Sequence, residues 1–116
     1  MLTIVGLSGS LRRDSFNTAL LYAAAECMPS QATLDVATLE GIPLYHGDEE
    51  AAHGIPDAVA ALKDRIAAAD ALLLATPEYN SAMPGVFKNA IDWLSRPPED
   101  QPRVFHGRPV ALMGAT

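Results

Sequence analysis

Four short apolar runs alternate along the chain with longer segments whose apolar residues recur every three or four positions. The runs cover residues 2–7, 33–39, 71–75 and 109–113, and they have the length and composition of buried strands. The longer segments have the spacing of amphipathic helices, in which one face packs against a core. Strand and helix therefore alternate, which predicts an α/β fold with a parallel sheet and helices on both faces.

Three helices are predicted between these strands. The first ends before Pro29, the second begins at Pro56, and the third covers residues 86–94. Residues 41–50 predict an irregular loop on the surface, and residues 96–102 predict a polar, proline-rich connection.

The last predicted strand is not followed by a helix, although a parallel sheet needs helices over both faces. We therefore expect one domain, residues 1–116, that is incomplete at its C-terminal end. We also expect the strand at residues 109–113 to form an edge of the sheet, with a fifth strand absent from this chain.

Composition narrows the class of protein. The chain has 116 residues, of which 49% are hydrophobic, and this is enough for the core of one domain. Its formal charge is −6 and its 8 lysines and arginines are scattered, so we expect no nucleic-acid partner. We expect no membrane contact, because no apolar run approaches the roughly 20 residues of a transmembrane helix. The first residues predict a strand rather than a signal peptide, which favours a cytoplasmic protein.

Cysteine and histidine give no sign of a metal site. The single cysteine, Cys27, excludes an internal disulfide and a multi-cysteine metal site. It lies in an alanine-rich helical segment, so we expect a buried structural thiol. His46, His53 and His106 are widely spaced on predicted loops without a ligand pattern, which predicts surface histidines.

Candidate chemistry begins in the loop between the first strand and the first helix, residues 8–18. This loop is rich in hydroxyl groups and contains two arginines and an amide. Three of its residues are suited to cap the helix: Asp14, Ser15 and Asn17. The N–H groups at a helix N-terminus also bind anions, and Ser10 and Arg12 add side-chain donors. The loop is either a phosphate site or an ordinary helix cap with solvated arginines.

Two common phosphate motifs do not match this loop. A P-loop requires a lysine after its second glycine, and the loop has no lysine. The dinucleotide fingerprint requires three glycines, but residues 6–11 carry glycine only at positions 6 and 9. A loop rich in hydroxyl groups suits a terminal monophosphate, which backbone and side chains can surround.

A second candidate loop, residues 75–85, follows the third predicted strand. Such a loop lies at the carboxyl edge of a parallel sheet, where open α/β sheets bind their ligands. Two prolines and a glycine fix its backbone path. Glu78, Tyr79 and Asn80 are thereby held ready for a planar, polar ligand.

Together the two loops resemble signatures of the NADPH-dependent FMN reductase family. Residues 9–12 (Gly-Ser-Leu-Arg) and 15–17 (Ser-Phe-Asn) are similar to its phosphate loop, and residues 76–80 and 84–93 are similar to its second signature. This family has the flavodoxin-like fold and includes chromate, quinone and azo-dye reductases. The resemblance implies a doubly wound sheet with strand order 2-1-3-4 and FMN at the switch point between the first and third strands.

The resemblance also implies which residues hold FMN. Its phosphate would be surrounded by residues of the first loop: Ser10, Arg12, Ser15, Phe16 and Asn17. Its isoalloxazine ring would lie along residues of the second loop, largely through backbone groups: Pro77, Glu78, Tyr79, Asn80 and Ser81. The chain departs from the family at Ala82, where serine is common. It contains only the start, residues 114–116, of the family's third flavin loop.

The implied activity is that of an NAD(P)H-dependent, FMN-containing oxidoreductase. NADPH or NADH would be the donor, and the acceptor a small molecule such as a quinone, chromate, an azo compound or free flavin. We expect a homodimer or homotetramer, and no catalytic acid–base or nucleophile pair, because the cofactor performs the chemistry. Two alternatives stay open: a flavodoxin-type electron carrier, and a flavin-free binding module if the chain is truncated.

Overall fold

The computed structural model describes residues 1–115 and contains one parallel sheet of four strands. The strands are β1 (Leu2–Ser8), β2 (Ala32–Ala37), β3 (Ala71–Ala75) and β4 (Val110–Met113). Their spatial order is β2-β1-β3-β4, which confirms the predicted order. Within the described residues β4 pairs only with β3 and forms an edge of the sheet, and its Leu112 side chain is 70% exposed.

Five helices and a 3₁₀ turn connect the strands. The helices are α1 (Phe16–Glu26), α2 (Gly47–His53), α3 (Asp57–Ala68), α4 (Gly85–Leu94) and α5 (Gln101–Phe105), and the 3₁₀ turn is Pro98–Asp100. None of the helices in residues 1–115 has both the length and the apolar content that a membrane crossing requires.

Helices pack on both faces of the sheet, as the alternating pattern predicts, although Val110 and Leu112 of β4 stay exposed. On one face, α1 inserts the fully buried Leu21. On the other face, α3, α4 and α5 pack together over the main core. That core contains Val5 and Leu72 from neighbouring strands, and Trp93 and Val104 from the helices. The packed sheet fixes the positions of the strand ends, and therefore of the loops that leave them.

Two segments predicted as irregular are helical. Residues 47–50 belong to α2, and residues 96–102 contain the 3₁₀ turn and the start of α5. α2 has no buried residue and so lacks an apolar stripe, but His46 Nδ1 accepts a hydrogen bond from the Asp48 N–H at 3.1 Å. Acidic residues in its first turn favour the positive end of the helix dipole. Prolines occupy the first turns of the other two elements, a position that tolerates them.

The expectation for Cys27 is wrong, whereas that for the histidines is confirmed. Cys27 is exposed, because α1 ends at Glu26 and Cys27 forms its C-terminal cap, beyond the buried face. His46, His53 and His106 all lie on the surface. In the part of the chain described here, no three histidine, cysteine or acidic side chains are grouped closely enough to hold a metal ion.

Candidate functional site

Three loops meet at the carboxyl edge of the sheet. Loop 1 (residues 9–15) follows β1, loop 2 (residues 76–84) follows β3, and loop 3 (residues 114–115) follows β4. The strand register places Ser8 beside Ala75 and Ala75 beside Met113, so the three strands end at the same level. This edge is where open α/β sheets bind ligands.

Loops 1 and 3 both approach Thr76 of loop 2 closely. A Cβ atom on Gly9 would lie 2.5 Å from Thr76 Oγ1, and one on Gly114 would lie 2.7 Å from the Thr76 carbonyl oxygen. Both distances are too short for any side chain. Glycine at these two positions therefore allows the three loops to approach one another.

Ser15 caps α1, and the structure thereby selects one of the three candidate caps. Its Oγ accepts hydrogen bonds from the N–H groups of Asn17 at 3.2 Å and Thr18 at 3.3 Å, and the residue is 5% exposed. These bonds use the acceptor capacity of the hydroxyl and leave its proton for another acceptor. Ser10, equally buried, accepts a bond from the Arg12 N–H at 3.2 Å and keeps its proton in the same way.

The free positive charge is concentrated on loop 1. Five basic side chains form ion pairs: Lys63, Arg65, Lys88, Arg96 and Arg103. Arg108 donates to backbone carbonyls, including those of Val104 and Ala69. Within residues 1–115 the guanidinium groups of Arg12 and Arg13 have neither kind of partner. In a chain with a net charge of −6, an anion can bind the guanidinium groups of Arg12 and Arg13 without breaking an ion pair or a hydrogen bond to the backbone.

Asn17, in the first turn of α1, links the start of that helix to loop 3. Its Nδ2 donates to the Ala115 carbonyl oxygen at 3.1 Å, and its Oδ1 accepts from the Ala115 N–H at 3.0 Å. The residue is 3% exposed. Its partner lies 98 positions away in the chain, so the sequence gives no sign of this contact.

Loop 2 contains a tight hairpin. The backbones of Tyr79 and Ala82 exchange two hydrogen bonds, at 2.9 and 3.2 Å, across Asn80 and Ser81. The two central residues have φ values of 56° and 63°, the left-handed conformation that a two-residue hairpin requires. Ala82 contributes through its backbone, so the hairpin forms without the serine hydroxyl common in the family.

Two clefts open between these loops. The loop cleft, about 220 Å³, is lined by Ser10, Arg12, Ser15, Phe16, Asn17, Pro77, Tyr79 and Ala115. The edge cleft, about 400 Å³, is lined by Thr76, Pro77, Glu78, Leu112, Met113, Gly114 and Ala115.

The structure brings most of the predicted site residues together. All those expected in loop 1 line the loop cleft, with Pro77 and Tyr79, and Glu78 lines the edge cleft. Asn80 and Ser81 form the hairpin turn and line neither cleft. The sequence did not single out Leu112 and Met113, which the register of β4 beside β3 brings to the edge cleft.

A larger cleft lies on the other side of loop 1. This outer cleft, about 580 Å³, lies between loop 1 and residues 38–42 after β2, and Arg12 and Arg13 are among its lining residues. It contains no residue of loop 2 or loop 3. The loop and edge clefts are the stronger candidate because three strand ends converge there.

The shifted pKa values belong to groups away from the three loops. Glu50 accepts hydrogen bonds from Arg96, and these lower the pKa of the Glu50 carboxyl. The Tyr45 hydroxyl also donates to Glu50, at 3.0 Å, and this bond raises the pKa of Tyr45. Hydrogen bonds from Arg103 and Lys63 lower the pKa of Asp100 to about 2. These groups join helices to one another.

The chain is similar in sequence to several known proteins. A family model described as NADPH-dependent FMN reductase matches residues 2–116. The chain is 52% identical to an NAD(P)H-dependent FMN reductase of Pseudomonas aeruginosa, over 97% of the chain and 59% of that protein. It is 46% identical to a 2-hydroxy-1,4-benzoquinone reductase of a Burkholderia species, over 99% of the chain and 61% of that protein.

A solved structure is similar over the whole chain. The flavoenzyme NAD(P)H:(acceptor) oxidoreductase FerB of Paracoccus denitrificans superimposes with a TM-score of 0.87 at 36% identity, covering 100% of the chain and 62% of FerB. The chain therefore spans about three fifths of the length of the relatives it matches.

Proposed function

Because the chain belongs to the NADPH-dependent FMN reductase family, we propose that it binds FMN between its three loops and transfers electrons from NADPH or NADH to a small acceptor. A quinone is the acceptor class we favour, since one relative is named a 2-hydroxy-1,4-benzoquinone reductase. Bound FMN supplies the hydride chemistry. The chain's own residues bind and orient it.

The observation that carries this proposal is a set of hydrogen-bond donors without acceptors on loop 1 and at the start of α1. The buried hydroxyls of Ser10 and Ser15 keep their protons, and Arg12 lines the same cleft without a carboxylate partner. The N–H of Phe16, the first residue of α1, has no hydrogen-bond partner within residues 1–115. A phosphate group accepts bonds from hydroxyls, from N–H groups at a helix N-terminus and from a guanidinium.

The edge cleft suits the ring of FMN. Leu112 and Met113 supply apolar surface, and the backbones of Thr76 and Gly114 lie in close contact beside Pro77. We place the ring along Pro77, Glu78 and the hairpin of loop 2, including Tyr79, Asn80 and Ser81. Tyr79 is 49% exposed, so its side chain is free to border a ring rather than pack in the core.

We also propose that the protein works as a homodimer or homotetramer in the cytoplasm. Apolar side chains are exposed beside the loops, namely Phe16 at 61% and Met83 at 47%, and a second copy would cover them. Reduced pyridine nucleotide, the proposed donor, is available in the cytoplasm. The proposal includes no nucleic-acid partner and no membrane partner.

Steady-state oxidation of NADPH with a benzoquinone acceptor tests the proposal. We expect the rate to depend on added FMN. Arg12→Ala should raise the FMN concentration for half-maximal rate by about tenfold or more, since it removes a charge-assisted bond. Arg13→Ala removes the same charge from a residue that lines only the outer cleft, and should have a smaller effect.

Two results would contradict the proposal. No NADPH oxidation at any FMN concentration, unless a separate reductase is added, would favour the flavodoxin-type carrier. Equal effects of Arg12→Ala and Arg13→Ala would show that loop 1 contributes general charge instead of a phosphate contact.

A further inference from the structure

The amide of Asn17 is engaged at both ends by one backbone residue. Donation from Nδ2 to the Ala115 carbonyl and acceptance at Oδ1 from the Ala115 N–H, at 3.1 and 3.0 Å, form a paired contact like that between neighbouring strands. Turning the amide over would break both bonds, so its orientation is fixed. An asparagine that only bound a phosphate would use its Nδ2 donor, and its Oδ1 would have no hydrogen-bond partner.

The partner of Asn17 belongs to both clefts. Ala115 lines the loop cleft, where loop 1 offers its donors, and also the edge cleft, where the ring would lie. The preceding residue, Gly114, is pressed against the Thr76 carbonyl, where an added Cβ would lie at 2.7 Å. Loop 3 is therefore already in close contact with loop 2 at Gly114, and the two hydrogen bonds from Asn17 hold the next residue, Ala115.

We propose that Asn17 is a positioning residue that fixes loop 3, and through it the ring side of the flavin site. This role presupposes the FMN site proposed above and adds to it. Loss of the Asn17 amide would free Ala115 and alter the wall of the edge cleft. The ring would then bind less tightly, whether or not the flavin carries a phosphate.

Riboflavin separates this role from phosphate binding, because it has the ring of FMN without the phosphate. Asn17→Ala should weaken riboflavin binding by about tenfold, the effect of removing about one net hydrogen bond, and should weaken FMN binding at least as much. Arg12→Ala should weaken FMN binding and leave riboflavin binding unchanged. Unchanged riboflavin affinity in Asn17→Ala would overturn the proposal.

Asn89 provides a matched control. Its Nδ2 donates to the Pro43 carbonyl at 2.9 Å, and its Oδ1 accepts from the Tyr45 N–H at 2.8 Å. Asn89→Ala therefore removes the same kind of paired amide contact on α4, away from both clefts. It should leave riboflavin affinity at the wild-type value. An equal loss in both variants would mean that general loosening, not loop 3, is the cause.

A second measurement does not depend on flavin. Hydrogen exchange of the Ala115 amide should become about tenfold faster in Asn17→Ala and stay slow in Arg12→Ala. Unchanged exchange would overturn the positioning role. If the wild-type protein binds neither flavin, the proposed function fails, and exchange still decides whether Asn17 holds loop 3.

If Asn17→Ala does not fold, Gly114→Ala provides a second test of the proposal. Gly114→Ala must displace loop 3 from the Thr76 carbonyl while leaving the Asn17 side chain intact. We expect it to weaken riboflavin binding too. Full riboflavin affinity in Gly114→Ala would show that the position of loop 3 does not matter to the ring.

Discussion

One serine hydroxyl carries two tasks at the start of α1. Ser15 Oγ accepts from two backbone N–H groups and caps the helix, and its proton remains for a ligand. The cap contributes to stability, and under the proposed function the proton is donated to the FMN phosphate. Substitutions that keep one task and remove the other therefore separate them.

Ser15→Ala should lower stability and Ser15→Asp should keep it, whereas both should weaken FMN binding. Alanine removes the cap and should lower stability by about 1 kcal/mol. Aspartate caps as well as serine and suits the positive end of the helix dipole, so stability should be kept. Both should weaken FMN binding, aspartate more, because a carboxylate repels the phosphate. Thermal unfolding and FMN titration measure the two effects.

The riboflavin affinity of Ser15→Asp serves as the control, and it should change less than the FMN affinity. Wild-type affinity for FMN in Ser15→Asp would place the phosphate elsewhere, and Ser15 would then be a helix cap only.

At the residue scale, the site could be predicted where the motif is continuous in sequence. Loop 1 and Pro77 to Tyr79 line the clefts because short motifs set the local backbone that presents them. The contact between Asn17 and Ala115 could not be predicted, since it depends on the register of β4. The burial of Cys27 was predicted wrongly because periodicity does not say at which residue a helix ends.

At the element scale, the strands and the three amphipathic helices follow from apolar spacing, and α2 and α5 do not. α2 is acidic and has no buried residue, and its Glu50 pairs with Arg96 at 2.6 Å beside the Tyr45 ring. α5 buries only Val104. Such helices depend on tertiary contacts, which leave no periodic pattern in the sequence.

The link between α3 and the 3₁₀ turn predicts a pH dependence of stability. Lys63, 4% exposed, pairs with Asp100 at 2.7 Å, and hydrogen bonds from Arg103 and Lys63 lower the pKa of Asp100 to about 2 from an ordinary value of 3.8. A lowered pKa means that the folded state favours the charged carboxylate. This contribution is present above about pH 4 and is lost as the pH falls through about 2.

Asp100→Asn should therefore unfold at a lower temperature than the wild type at neutral pH, because Lys63 loses its charge partner. The difference in Tm should narrow as the pH falls below about 4 and vanish only below about pH 2. Asp64→Asn is the control: Asp64 also binds Arg103 but is 73% exposed, so its effect should be small. A difference in Tm that does not change with pH would contradict the role given to Asp100.

At the scale of the whole molecule, the topology assembles the site. Loops that are distant in sequence meet because β1, β3 and β4 are neighbours and end at one level. The alternation of strand and helix was enough to predict the parallel sheet, and the family resemblance supplied the strand order. The close packing of the loops around Thr76 could be seen only in the structure, because it depends on three backbones at once.

The central claim is that FMN bound by these three loops receives electrons from NADPH. Anaerobic mixing of the FMN-loaded protein with NADPH tests it most directly, with free FMN at the same concentration as the control. We predict that NADPH equimolar with the bound FMN bleaches the flavin absorbance of the protein much faster than that of free FMN. A protein that stays yellow, or that bleaches no faster than free FMN, would contradict the account.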